Sequence, residues 1–129
     1  MKRNNIFIFI IVLLLMIISS CSFLGTSISA RATIFIGELN GNRSGIMESI
    51  HPDAPGYNTA NGSNYWNLGV WGTKPFSLSN ITESSDSLTA DFSYGSSSGI
   101  IILQMKNDGD LFGDNWKIWS CSVAGDDQF

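Results

Sequence analysis

Short runs of alternating apolar and polar residues, separated by turn-forming dipeptides, constrain the fold of this chain more than any other feature. In residues 87–94 the clearest alternation places Leu88, Ala90 and Phe92 between polar neighbours. Because successive side chains of a strand point to opposite faces, this pattern predicts a strand with one buried and one hydrated face. Further strand-like runs lie at residues 32–39, 45–50, 64–71, 76–82, 99–105 and 116–123.

The residues between these runs favour antiparallel connections. Dipeptides of the type Asn-Gly, Tyr-Gly and Asp-Gly, which are typical of turns, stand at residues 40–41, 61–62, 94–95 and 108–109. No apolar stripe with a period of 3.6 residues is evident, so long helices are not expected. About seven short strands in about 100 residues predict an all-β fold, either a small antiparallel sandwich or a barrel.

The N-terminal segment has the pattern of an export signal. Lys2 and Arg3 precede an uninterrupted apolar run at residues 6–18. As a helix this run would rise about 20 Å, and it is shorter than the roughly 20 apolar residues that span a bilayer core. A positive start, a short apolar middle and small residues after it are typical of a secretory signal peptide. We therefore predict a signal peptide at residues 1–20.

The residues that end this segment are Ile18-Ser19-Ser20-Cys21, an aliphatic residue followed by two small residues and a cysteine. This sequence resembles the lipobox of bacterial lipoproteins. The resemblance implies that the thiol of Cys21 receives a diacylglycerol and that cleavage leaves Cys21 as the first mature residue, carrying acyl chains such as palmitate. It further implies a location in the cell envelope, with the membrane as a partner through the lipid anchor.

Other fates of the N-terminal segment are open. Residues 28–30 (ISA) offer a second cleavage site after Ala30, which would release a soluble secreted protein. An uncleaved anchor would use residues 19–24 to extend the apolar span. If the chain is a lipoprotein, residues 21–30 are the lipidated cysteine and its tether, and residues 31–129 form a single β-rich domain.

The charge and the cysteine content restrict the possible partners. The formal net charge is −4, and removal of Lys2 and Arg3 with the signal makes it −6. An acidic chain does not attract nucleic acid, so we expect no nucleic-acid partner. Two cysteines and one histidine are too few for a zinc site built from those residues alone, and no cofactor is expected. With Cys21 lipidated, Cys121 is predicted to be a buried free thiol, whereas an unmodified Cys21 would allow a disulfide between them.

An acidic loop is a candidate calcium site. Asp108, Asp110 and Asp114 lie within residues 107–115, which also contain two glycines. Calcium takes six to eight oxygen ligands, and such a loop can supply several of them. The spacing does not match an EF-hand, and a solvated turn explains the same residues without a metal.

Aromatic residues are candidates for a glycan-binding surface. Tyr57, Trp66 and Trp71 are the residues that we select, because aromatic faces can stack on sugar rings and nearby Asn and Asp side chains can bond to hydroxyl groups. The alternative is that the aromatic rings of this chain fill the core of a small β-domain.

The single histidine is the only feature that suggests an enzyme. His51 follows Glu48 by three residues and precedes Asp53, and a histidine beside a carboxylate can transfer protons in a small hydrolase. No G-x-S-x-G or H-E-x-x-H motif accompanies it. We therefore predict that His51 lies on the surface of a long loop at residues 51–63. The leading hypothesis is a non-enzymatic envelope lipoprotein that binds a protein or a glycan through this loop and the hydrated face of the sheet.

Overall fold

The computed structural model describes residues 25–41, 45–61, 74–111 and 113–129. They form one antiparallel sheet in which each strand pairs with the next, in the order β1-β2-β3-β4-β5, with helices packed on one face. The elements are helix α1 (Ile28–Asn40), a 3₁₀-helix (Ile46–Ser49), helix α2 (Tyr57–Asn61), and strands β1 (Phe76–Glu83), β2 (Ser87–Tyr94), β3 (Ser97–Asn107), β4 (Trp116–Val123) and β5 (Asp126–Asp127).

A mostly antiparallel β fold is therefore confirmed. The strands predicted at residues 76–82, 87–94, 99–105 and 116–123 correspond to β1, β2, β3 and β4. The described residues contain five strands in one sheet, so neither the predicted count of about seven strands nor a sandwich or barrel is seen among them. The strand predicted at residues 64–71 lies outside the described residues.

Helix α1 is the largest departure from the sequence prediction, because residues 32–39 were expected to form a strand. The buried residues of this helix include Ile28, Ala32, Phe35 and Leu39. Their separations of four, three and four residues place them on one face of a helix. The strand predicted at residues 45–50 is also wrong, since the 3₁₀-helix occupies most of that range.

Both ends of α1 are bonded to β1. Near the N-terminus of the helix, the Ser29 backbone N–H donates to Glu83 Oε1 at 3.0 Å, where a carboxylate also complements the helix dipole. At the other end, Asn40 Nδ2 donates to the Phe76 carbonyl at 2.8 Å, and the Phe76 N–H donates to Asn40 Oδ1 at 2.7 Å. These contacts align the helix antiparallel to β1 and hold it against the sheet.

The core lies between α1 and the inner face of the sheet. Full burial of an aliphatic or aromatic side chain contributes about 1.5–3 kcal/mol to the free energy of unfolding, so the buried apolar residues supply most of the stability of the domain. The alternation predicted for residues 87–94 is correct, since Leu88, Ala90 and Phe92 are all buried. The largest fully buried side chains are Phe35, Phe92, Leu39, Ile50, Leu88, Ile101, Leu103 and Ile118.

Candidate functional site

The N-terminal residues of the described fold lie beside the loop that connects β3 and β4. The Thr26 N–H donates to the Asp114 carbonyl at 2.6 Å, and the Trp116 N–H donates to the Thr26 carbonyl at 3.2 Å. These bonds form a parallel bridge between Thr26 and Asn115. Residues 25–30 are therefore part of the folded domain, although residues 21–30 were predicted to be a lipidated cysteine and its tether and the domain to begin at residue 31.

Gly25 is the residue at which the chain joins this loop. It has a φ of +83°, and a Cβ at this position would lie 2.7 Å from the Asp114 backbone nitrogen and closer still to the Asp114 carbonyl oxygen. Only glycine fits such a close backbone approach in the left-handed region without strain. Glycine at residue 25 is thus required for the backbone path by which the chain reaches this loop.

Arg31 holds the same junction together from helix α1. Its Nε donates to the Trp116 carbonyl at 2.7 Å, and its Nη2 donates to Asn115 Oδ1 at 3.1 Å and to Thr26 Oγ1 at 3.3 Å. Burial lowers the pKa of Arg31, while the negative charge of Glu48 raises it. A guanidinium remains charged at physiological pH, so Arg31 supplies charge-assisted bonds to two segments, the N-terminal residue Thr26 and the end of the β3–β4 loop.

The loop of the predicted calcium site is organised by an asparagine. Asn107 Oδ1 accepts the backbone N–H of Gly109 and of Asn115, each at 2.9 Å, and Asn107 Nδ2 donates to Asp114 Oδ1 at 2.7 Å. Among the residues that the structure describes, no group of three or more His, Cys, Asp or Glu side chains is placed to hold a metal ion. Asp108, Asp110 and Asp114 therefore do not form such a group, and the loop has the internal bonds of a turn.

Only one of the three aromatic candidates lies within the described residues. Tyr57 begins α2 and is partly buried against the core, while Trp66 and Trp71 lie outside the described residues. Trp116 and Trp119 are also partly buried against the core. The described aromatic side chains thus contribute to packing, which is the alternative that the sequence left open.

His51 is buried, and the prediction that it lies on the surface is wrong. Its side chain is only 4% exposed and meets the Trp119 ring edge-on at a centroid distance of 5.2 Å. His51 Nδ1 accepts the Asp53 backbone N–H at 3.1 Å. On the Trp119 ring, Lys106 Nζ lies 4.4 Å from the centroid. The histidine is held in a packed cluster because strand β4 brings Trp119 to it from far along the chain.

Cys121 agrees with the prediction of a buried free thiol. It is unpaired and almost completely buried on the inner face of β4. Burial raises the pKa of the Cys121 thiol, so its reactive thiolate form is disfavoured. Cys21, the predicted lipidation site, lies outside the described residues.

The outer face of the sheet is the surface that the helices leave open. On β3, Ile100 is 46% exposed and Ile102 is 39% exposed, while Ile101 between them is fully buried. The cross-strand partners of the two exposed residues on β2 are Asp91 and Thr89. This face therefore carries two apolar side chains beside small and acidic ones.

Within the described part of the chain, no helix has the length and apolar character needed to cross a membrane. No protein-family model matches the chain, and no curated protein or solved structure is significantly similar to it.

Proposed function

We propose that this protein is a lipoprotein of the cell envelope, anchored to a membrane by acyl chains on Cys21. Its β-rich domain is not an enzyme and binds a protein or a glycan. The observation that carries the proposal is the start of the fold, because the domain already includes Gly25 and Thr26. Cleavage before Cys21 leaves every described residue in the mature chain.

The secreted alternative is less favourable because of where its cleavage site falls. A cut after Ala30 would lie in the first turn of helix α1. It would remove Ser27, whose Oγ accepts the Ala30 N–H at 3.2 Å and caps the helix. It would also remove the buried side chain of Ile28 and both backbone bonds of Thr26. The lipobox site has none of these costs to the folded domain.

The geometry around His51 supports a non-enzymatic domain. The imidazole is buried and its Nδ1 already accepts a backbone hydrogen bond, so this nitrogen is not free to act as a base. Of the two carboxylates considered with it, Glu48 acts electrostatically on Arg31.

The variant Cys21→Ser tests the anchor. Without a thiol at residue 21 no diacylglycerol can be attached, so we expect the protein to move from the membrane fraction of its native host to the soluble fraction, or to accumulate uncleaved. The control is Cys121→Ser, which removes the other cysteine and should leave the chain acylated. Equal acylation of the Cys21→Ser protein and the unaltered protein would refute the proposal.

We assign the binding surface to the exposed pair Ile100 and Ile102. A photo-reactive amino acid at residue 100 should form cross-links to an envelope protein or glycan in intact cells. Residue 34 provides a matched control, because Ile34 on α1 is also 46% exposed. Cross-links at residue 100 and not at residue 34 would support the outer face of the sheet as the contact surface. The same products at both positions would argue against it.

A further inference from the structure

Leu111 is the most exposed large apolar residue in the described part of the chain. Its exposed fraction is 101%, against 46% or less for the other exposed large apolar residues. It lies at the tip of the loop between β3 and β4, where the Gly113 N–H donates to the Asp110 carbonyl at 3.3 Å and closes a tight turn. The described residues therefore leave this apolar side chain uncovered.

The direction of the N-terminal segment relates this tip to the membrane anchor. Thr26 pairs with Asn115 in a parallel bridge. In a parallel pair both chains run the same way, so moving back from Thr26 to Gly25 follows the path from Asn115 back to Asp114 and towards the tip. Gly25, the first described residue, therefore lies at the same end of the sheet as Leu111.

The length of this connection limits how far the domain can stand from the lipid. Four peptide steps separate Cys21 from Gly25. A fully extended chain spans at most about 3.5 Å per residue, so the two Cα atoms are within about 14 Å of each other in any conformation. An acylated Cys21 would lie at the membrane surface, so Gly25 and the β3–β4 loop beside it would be kept close to that surface.

The charged residues at this end allow a shallow contact with lipid headgroups. Lys106 and Lys117 are direct cross-strand partners in β3 and β4, just before and after the loop. Like charges in such a position repel each other; the Trp119 ring already faces the Lys106 ammonium, and lipid phosphates would relieve the remaining repulsion. The carboxylates of Asp108, Asp110 and Asp114 in the same loop favour the aqueous side, so only the tip can enter the apolar layer.

We propose that Leu111 inserts into the membrane that holds the lipid anchor, and that Lys106 and Lys117 contact lipid headgroups beside it. The inference rests on the proposed acylation of Cys21. It gives the domain a second lipid contact and a defined orientation, with the β3–β4 loop at the membrane and the β2–β3 turn far from it. Amphipathic segments bury apolar side chains about 5–10 Å into the interface in this way.

Spin labelling of the full, acylated protein tests this orientation. A nitroxide is attached to Leu111→Cys in vesicles of phosphatidylethanolamine and phosphatidylglycerol; Cys21 is acylated and Cys121 is buried, so neither competes for the label. The matched control is Ser96→Cys, in the exposed turn before the 11-residue strand β3 and roughly 33 Å away along that strand. Collision rates with oxygen and with a water-soluble nickel chelate then report the depth of each label.

We expect the label at residue 111 to collide mainly with oxygen, at a depth within the headgroup–acyl boundary, and the label at residue 96 to collide mainly with the nickel chelate. A label at residue 111 as accessible to nickel as the one at residue 96, on a chain with an acylated mass, would overturn the inference and leave the lipoprotein proposal intact. A mass with unmodified Cys21 would overturn both.

Discussion

The two ends of the sheet are built in different ways. At one end, β2 and β3 are joined by the short turn at Gly95 and Ser96, where the Gly95 N–H donates to the Pro75 carbonyl at 3.2 Å. At the other end, β3 and β4 are joined by a longer loop that is bonded to Thr26 and to Arg31 of helix α1. The turn at the first end is bonded to a residue just before β1, whereas the loop at the second end is bonded to a segment more than 80 residues away in the sequence.

This difference explains why the start of the mature chain matters to the fold. The β2–β3 turn joins two strands that are adjacent in sequence, and in such a hairpin the turn and the strand register specify each other. The loop end requires the N-terminal segment, so removing that segment should weaken this end first. The proposed lipid anchor at Cys21 lies just before this segment in the sequence.

The largest expected effect is that of removing this segment. A chain that begins at Arg31 loses the buried side chain of Ile28, the Ser27 cap and the two backbone bonds of Thr26. Each loss costs about 1–2 kcal/mol, so we expect a decrease of about 4 kcal/mol in the free energy of unfolding relative to a chain that begins at Gly25. Urea denaturation followed by tryptophan fluorescence measures it. Equal stability of the two chains would contradict the importance of residues 25–30.

A smaller effect is expected for Arg31→Met, which keeps an unbranched apolar stem but removes all three side-chain hydrogen bonds at the junction. We expect a net loss of about 2 kcal/mol: each bond to a charged group contributes about 1.5–3 kcal/mol, but removing the guanidinium also removes the cost of its partial burial. The stability of Arg31→Lys should lie between that of the unaltered protein and that of Arg31→Met. A single ammonium group lacks the planar fork that reaches both the Trp116 carbonyl and Asn115 Oδ1. Amide hydrogen exchange should show faster opening of the loop end in both variants.

The smallest effect is expected at the opposite end. Ser96→Ala changes an exposed turn residue, and such surface substitutions usually alter stability by less than about 0.5 kcal/mol. The same urea experiment measures it. A loss at residue 96 as large as that of Arg31→Met would remove the contrast between the two ends of the sheet.

The strands could be predicted from sequence because their signal is local. Strands β2 and β4 have the bounds expected from the period-two pattern and from the apolar run around Cys121. In contrast, the helical face of α1 begins at Ile28, upstream of the expected domain boundary. Within residues 32–39 the β-branched residues Thr33, Ile34 and Ile36 favour a strand, and the exposed Ile34 obscures the helical spacing.

The environment of the candidate site depends on contacts that no local pattern contains. The burial of His51 depends on Trp119, and the junction at Thr26 depends on Asp114 and Trp116. In each case two segments distant in sequence are brought together by the sheet. The lipobox resemblance lies upstream of the described residues, and the contact of Gly25 with the β3–β4 loop is likewise absent from any local sequence pattern.

The most direct test of the lipoprotein proposal is the intact mass of the mature protein from its native host, with fragmentation to locate the N-terminus. We expect a chain that begins at Cys21 and carries the added mass of a diacylglycerol, with Cys121 as a free thiol. An unmodified chain that begins at Arg31 would contradict the proposal and would show that the domain is stable without the segment that joins its loop end.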